Sequence, residues 1–478
     1  MRGGGVSMSA EKRSALVLGG GFAGLSAAVH LALEGQEVTL LEQAPSLGGK
    51  AGEYRESGYR FDIGPSVWTL PHIVTDLFER AGETPPVFKP LEPLCRYRFE
   101  SGRVWDVYRD AQKTAAQLSE GEAQVYRSLV EEARALYEAA APTFLYNQAP
   151  RLADLAKYGL QHGLRAHPLK RLPDLLKSHG ATSDLKTFFL RFATYFGADP
   201  YRAPAVLHNI AWTELGLGAY YPKGGIRGVV NQLCVLAEKL GVNILTETKI
   251  ERLETQSNYL KHVHTSRGLF TADTVISSLD IVRTHQLLGR KTRRERLEPS
   301  LSGFVLLLGL EGQTPGLAHH NIFFSKRYRA EFEEVRRGEL PRNPTLYVSI
   351  SSKSQLEDAP HEGENWFVLA NAPALEEVRY DEEGYAEHLI DLLERRGLEV
   401  RGRLEVKKIF PPRYLSTLAH RGSIYGSAPH SLLQTLRPKQ TVRGVDNLFL
   451  AGGSVHPGGG IPLALLSGEH AAALALLK

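Results

Sequence analysis

Cysteine is nearly absent: Cys95 and Cys234 are the only two in 478 residues, far apart and in neither a metal-type nor a redox-type spacing. That excludes a disulfide framework, a thiolate metal cluster and a dithiol redox pair, and both residues read as buried thiols. Histidine has no ligand spacing either, since the adjacent His319 and His320 cannot share one helical face. No metal is expected. Long apolar runs are also missing: Phe304 to Leu310 is short, and Leu463 to Leu477 is interrupted by Ser467-Gly468-Glu469-His470, whereas a bilayer span needs roughly 20 apolar residues. Met1 to Ser14 holds no secretory-type apolar segment, so a cytoplasmic protein is expected, with Met1 to Ser9 disordered. There is no internal repeat and no low-complexity tract. With a net charge of only +4 and no recognition motif, nucleic acid is excluded as a partner.

What is present is a chain able to bury a large core, 42% hydrophobic over 478 residues, which suggests two or three domains. The apolar run Ser14 to Leu18 reads as a buried strand, and Phe22 to Glu34 reads as a helix stopped by Gly35. Between them lies Gly19-Gly20-Gly21-Phe22-Ala23-Gly24. Glycine therefore occupies a strand-to-helix turn where the backbone must approach a pyrophosphate, and the helix start offers free N–H groups. A second run, Val38 to Leu41, places Glu42 at a strand end, where its carboxylate can accept the ribose hydroxyls of an adenosine. Gly19, Gly21, Phe22, Ala23, Gly24 and Glu42 are the first candidate dinucleotide contacts.

Soon after comes Ser46-Leu47-Gly48-Gly49-Lys50-Ala51-Gly52, a second close approach to phosphate in which Lys50 either places a cation beside it or is simply a solvated charge. Near the other end of the chain, the strand-like Asn447 to Ala451 runs into Gly452-Gly453-Ser454-Val455-His456-Pro457-Gly458-Gly459-Gly460-Ile461-Pro462 and then a helical stretch from Leu463 onward. A second glycine-rich helix start suits the pyrimidine end of a flavin, which gains negative charge on reduction. FAD is favoured over NAD, and only one full dinucleotide turn is present, so no separate nicotinamide fold is expected.

The charge is unevenly spread. From Arg151 to Arg191 eight basic residues face three acidic ones, a larger excess than the +4 of the whole chain, and the same stretch carries Leu152, Leu155, Leu160, Leu164, Leu169, Leu172, Leu175 and Leu176. Two readings fit. One is an interfacial surface resting on anionic lipid, the other a solvated helical cap with a leucine core face.

The expected fold class is α/β, with a Rossmann-like dinucleotide domain assembled from separate segments at about 8–67, 225–285 and 415–478. A helical cap is expected over 68–224, including a helix from Pro71 to Ala81 and long amphipathic patterns over Ala111 to Ala139 and Ser183 to Phe196. Strand-like runs Phe304 to Leu310, Thr345 to Ser351 and Trp366 to Asn371, with a helix near Tyr385 to Arg395, predict a mixed-sheet substrate domain over 286–414.

These motifs, together with Tyr59-Arg60-Phe61-Asp62-Ile63-Gly64-Pro65-Ser66, Phe196 to Pro204, Tyr221-Pro222-Lys223-Gly224-Gly225, Ser277-Ser278-Leu279-Asp280 and Ser467-Gly468, resemble the bacterial and fungal phytoene desaturase type of carotenoid desaturases, within the amine-oxidase-like FAD proteins. The likeness covers nearly the whole chain. It departs at Leu463-Ala464, where that family carries a small residue. The resemblance implies bound FAD, with Gln43, Gly48, Gly49, Lys50, Ala51, Pro65, Ser66, Ile250, Gly452, Gly453, Gly460, Ile461 and Pro462 joining the first set of contacts. It also implies an acyclic polyene substrate taken from the membrane surface, hydride transfer to flavin, and a quinone or oxygen as electron acceptor. Phe188, Phe189, Phe192, Tyr195, Phe196, Trp212, Tyr220 and Tyr221 fall where the family places its helical wall and read either as tunnel or as plain core. His456 is the one candidate catalytic residue, with capping of its own turn as the other reading. A phytoene-type or 1-hydroxycarotenoid 3,4-desaturase is expected. A carotenoid isomerase, a terminal-methyl oxygenase and a non-enzymatic lipid-binding escort are the alternatives on this fold.

Overall fold

A computed structural model of the chain describes residues 13–163, 165–374 and 380–478. The disorder expected over Met1 to Ser9, the start of the first segment at residue 8 and the leucine at 164 lie outside the described residues.

Ser14–Leu18 is the centre of a six-stranded sheet. It pairs in parallel with Thr274–Ser277 on one side and Glu37–Leu41 on the other, and the sheet continues to Asn243–Leu245 at one edge and to Val445–Leu450 and Thr441–Val442 at the other. Being covered on both faces, the central strand is a continuous apolar run with no alternation. Helix Phe22–Leu33 is apolar nearly all round because it is enclosed, and the C-terminal helix Ile461–Leu476 packs directly on it. Two glycines set close contacts of that first helix, Gly24 with the turn that leaves the central strand and Gly468 with the C-terminal helix. A Cβ on Gly24 would stand 1.9 Å from the Gly19 carbonyl oxygen, and one on Gly468 would stand 2.2 Å from that of Ala23. Chain ends more than 400 residues apart are thereby drawn into one layer.

A second, seven-stranded sheet runs in the order Leu404–Phe410, Ser302–Leu310, Glu364–Ala372, Leu346–Ile350, His320–Phe323, Cys95–Arg98, Val104–Val107. It is antiparallel apart from the pairing of His320–Phe323 with Cys95–Arg98. Alternation divides its faces. Leu306, Leu308, Val348 and Val368 pack with Leu389, Ile390 and Leu393 of helix Glu382–Arg395, while Val305, Tyr347, Phe367 and Leu369 look the other way, into a cavity.

The stretch 68–224 is not wholly helical as expected, because Cys95–Arg98 and Val104–Val107 leave it to complete that sheet. The pattern over Ala111 to Ala139 is two helices, Ala111–Ala115 and Glu120–Phe144. Asp110 caps the first through the amides of Gln112 and Lys113. Gln117 then turns aside to exchange two hydrogen bonds with the Asp106 backbone, and Ser119 with Glu122 restarts the helix. Ser183 to Phe196 is α-helical to Arg191 and 3₁₀ over Phe192–Phe196, ending at Gly197 in the left-handed region. Cys95 is buried as expected, whereas Cys234 on helix Gly225–Lys239 is only half-buried, packed against the edge of the core. Among the described residues no helix is long and apolar enough to cross a membrane.

Candidate active site

A single cavity of about 1430 Å³ joins the two glycine turns to the upward face of the seven-stranded sheet. Gly19, Gly21, Phe22, Ala23, Glu42, Gln43, Gly48, Gly49, Lys50, Ala51, Pro65, Ser66, Ile250, Gly452, Gly453, His456, Gly460, Ile461 and Pro462 all line it. Gly24 does not, since its role is the helix-to-strand contact already described. The departure at Leu463-Ala464 also lies on the cavity wall.

The first turn is held by Glu42, whose two carboxylate oxygens accept the Gly20 amide at 2.8 Å and the Ala44 amide at 2.9 Å. The turn at Gly48 runs alongside it: the Gly48 amide donates to the Gly20 carbonyl at 2.8 Å, and a Cβ on Gly49 would stand 3.3 Å from the Gly21 Cα. Ser278 donates to the carbonyls of Leu18 and Gly19, and Asp280 caps the next helix through the Val282 amide. Lys50 is not a solvated charge. The side chain is half-buried on the cavity wall and its ammonium donates to the Ile424 carbonyl at 2.7 Å, while desolvation pulls its pKa down against the opposing pull of Asp280.

The second turn is equally fixed. Ser467 Oγ accepts the Gly452 amide and donates to the His456 carbonyl, which also accepts from Gln440 Nε2. Helix Ile461–Leu476 then opens toward the cavity with nothing within 4 Å of a Cβ placed on Gly460. Two helix starts, a glycine-lined crevice too narrow for side chains and a carboxylate at the far strand end form a donor and acceptor set that fits an FAD laid between them.

His456 is buried, which lowers its pKa, and its Nε2 lies 2.9 Å from the Asn147 carbonyl. That bond commits the Nε2 proton to the cap, and the ring fastens the glycine loop to the end of the long helix.

Of the eight aromatic residues expected as tunnel or core, only Tyr195 and Phe196 reach the cavity. Phe188, Phe189 and Phe192 are fully buried in the cap core, where Phe188 meets Tyr97, Trp105 and Tyr126. Tyr221 is tied to Asp358. Their place on the wall is taken by residues of distant segments, among them Phe144, Tyr158, Tyr347, Phe367 and Phe410. Sequence reading named Ser66 and Tyr195 but missed their polar partners. Ser66, Tyr347 and His320 form a chain with contacts of 2.7 and 2.8 Å, and Arg191, Tyr195 and Glu214 form a buried cluster. The spacing of Arg191, Thr194 and Tyr195 on one helical face was the only available signal; the partners come from other elements.

The leucines of the basic stretch divide between the two readings. Leu172, Leu175 and Leu176 are core, but Leu152, Leu160 and Leu169 are 85%, 90% and 98% exposed.

The family model for flavin containing amine oxidoreductase matches residues 22–476. Among curated relatives, a 1-hydroxycarotenoid 3,4-desaturase of Flavobacterium sp. (strain P99-3) is 31% identical, covering 97% of this chain and 99% of its own. A 4,4'-diaponeurosporene oxygenase of Staphylococcus aureus is 30% identical over 96% of this chain and 97% of its own. Among solved structures, cyclohexylamine oxidase from Brevibacterium oxydans superposes with a TM-score of 0.65 at 15% identity, covering 98% of this chain and 99% of its own.

Proposed function

The chain belongs to the flavin containing amine oxidoreductases and is an FAD-dependent oxidoreductase, and on that premise we propose that it desaturates an acyclic carotenoid. The observation that carries this reading is the continuity of one cavity from the glycine turns to a wall of Phe144, Leu155, Tyr158, Val305 and Phe410. Such a wall offers dispersion and apolar burial along a hydrocarbon, worth roughly 25 cal/mol per Å².

We assign Glu42, Gln43 and Ile250 to the adenosine end of FAD, the turns at Gly19 to Ala23 and Gly48 to Ala51 to its diphosphate, and Gly452, Gly453 and Gly460 to Pro462 to its ring, with Pro65 and Ser66 as further contacts of the cofactor. Bound FAD supplies the hydride acceptor. The chain's own part is to align the polyene and exclude water. Hydride loss leaves positive charge spread along the conjugated system, which acidifies the proton on the neighbouring carbon, so a weak acceptor suffices. His456 positions the glycine loop, its Nε2 proton being engaged by Asn147.

The polyene dissolves in bilayers, and the cap has the features of a dock for one. Helix Leu152–His162 turns Leu155, Tyr158 and Gly159 to the cavity and Leu152 and Leu160 to the outside, beside the exposed Lys157, Arg165 and Lys170. We assign this helix as the membrane-resting entrance, with quinone or oxygen as the electron acceptor.

Incubation of the purified flavoprotein with acyclic carotenoids in liposomes, FAD and a quinone tests the reading by product mass. Loss of two hydrogens per event is expected. Gain of oxygen would assign the terminal-methyl oxygenase reaction, no mass change with altered geometry an isomerase, and a colourless, flavin-free preparation a lipid escort.

A further inference from the structure

Desaturation leaves a proton inside a cavity lined along the polyene by hydrocarbon, and that proton must reach solvent. Several groups on the wall that could take it are engaged. Glu42 holds two amides of the first turn, Asp280 caps a helix, and Tyr195 donates to Glu214, a carboxylate that Arg191 already neutralises. Tyr347 differs. Its hydroxyl lies 2.7 Å from that of Ser66, also on the wall, and 2.8 Å from Nδ1 of His320, a basic nitrogen. Strand register makes that contact: His320 pairs opposite Ser349, so Tyr347, two residues along the same strand, is its diagonal neighbour on one face.

Behind His320 stands His319, with ring centroids 4.4 Å apart and planes at 74°. Its Nδ1 lies 2.7 Å from the hydroxyl of Ser354, a half-exposed residue following the 3₁₀ turn Ser351–Lys353. The nitrogens left over in the pair are the two Nε2 atoms, both buried and both without a partner. Two orphaned nitrogens on touching rings call for a shared use. One placement of protons suits all four nitrogens. The Tyr347 hydroxyl donates to His320 Nδ1, which leaves the His320 proton on Nε2, and His319 donates from Nδ1 to Ser354, which leaves its Nε2 bare. A small rotation of either ring, or one bridging water, then joins donor to acceptor. The neighbouring groups are Arg191 near His320, Cys95 near Tyr347, and Tyr221 and Lys89 beside His319, Lys89 donating to the Ser354 carbonyl at 3.4 Å. Burial, and the cations after it, keep both rings neutral, so a proton that arrives is passed on and not held.

We propose that Ser66, Tyr347, His320, His319 and Ser354 form a proton path from the cavity to the surface, with Tyr347 taking the proton that desaturation releases. The path rests on the carotenoid reading above and adds the proton's destination. One C–H bond gives its hydrogen and electron pair to the flavin. The neighbouring C–H bond then breaks, its electron pair becoming the new double bond and its proton passing to the Tyr347 oxygen while the phenolic proton moves to His320 Nδ1. His320 releases its Nε2 proton to His319, and His319 releases its Nδ1 proton through Ser354 to water.

Two measurements test the path. The first needs no turnover: nitrogen NMR of the flavin-loaded protein labelled at histidine, assigned with His319→Phe and His320→Phe, should show His320 protonated at Nε2 and His319 at Nδ1. The same tautomer on both rings overturns the path. The second follows anaerobic flavin reduction by polyenes in liposomes, deuterated either at the carbon that loses hydride or at its neighbour. In the unmodified protein the first label should slow reduction and the second should not. Tyr347→Phe and His319→Phe, which keep the rings, should each slow it about tenfold or more and bring out an effect of the second label, because proton loss has become limiting. Flavin content and spectrum report whether each variant has folded. Unchanged rates, or slowing with the isotope effect still confined to the first label, overturn the path while leaving the desaturase reading intact. If no polyene reduces the flavin of the unmodified protein, the carotenoid reading itself fails and the path falls with it.

Discussion

At the scale of single residues, burial decides ionisation more than neighbours do. His208 is fully buried with Nε2 2.8 Å from the Leu129 carbonyl, and desolvation lowers its pKa from an ordinary 6.5 to about 4. His470 falls to about 4 and His319 to about 3 for the same reason. Each is neutral in the folded protein. Below pH 6.5 the unfolded chain therefore takes up protons that the folded chain refuses, and stability declines as pH falls from 6.5 toward about 4. Calorimetry across that window should show a falling Tm, and His208→Gln should flatten the slope, since it removes one of the groups that titrate only on unfolding. The place of Glu42 at a strand end beside the first glycine turn was readable because the apolar run Val38 to Leu41 ends there. The place of Lys50 or His456 was not readable: both side chains end on carbonyls, of Ile424 and Asn147, that lie hundreds of residues away.

At the scale of elements, two motifs that looked independent turn out to be one joint. Strand Tyr59–Asp62 carries Arg60, which pairs with Asp62 at 2.7 Å and Asp358 at 3.2 Å, and Asp62 accepts the amides of Ile226 and Arg227 at the start of helix Gly225–Lys239. A Cβ on Gly225 would overlap the Arg60 guanidinium, so glycine is required for the helix to seat there. Asp62→Ala leaves that guanidinium short of a counter-charge and the helix start short of an acceptor. A loss of about 3–5 kcal/mol in urea unfolding is expected, whereas Glu56→Ala on the exposed neighbouring strand should change stability by less than about 0.5 kcal/mol. Helix and strand positions were largely legible from periodicity. The break before Glu120 was missed even though Ser119 and Glu122 announce it, because the apolar pattern continues in phase across the gap.

For the whole molecule, the exposed leucines are where the proposed membrane docking can be tested. Leu152, Leu160 and Leu169 lie near Lys157, Arg165, Lys170 and Arg171 on the outer side of the cavity's cap. Vesicles containing anionic lipid should pellet the protein, more weakly as salt rises. Replacing the three leucines together by glutamine should cut the bound fraction at least tenfold without changing flavin content, given roughly 1.5–3 kcal/mol for each leucine side chain buried. Unaltered binding by that variant would remove the docking assignment.

The amino-acid sequence by itself determined the dinucleotide chemistry and the α/β class, for a local reason. A phosphate-binding turn needs glycines a few residues apart between a buried strand and a helix, so the whole instruction fits in one short segment, as Gly19 to Gly24 does. The cavity was decided only by tertiary structure. Its walls come from the cap, the second sheet and the C-terminal loop, and whether an aromatic residue such as Phe188 fills the core or Phe367 lines the cavity depends on which face the packing of distant elements leaves open.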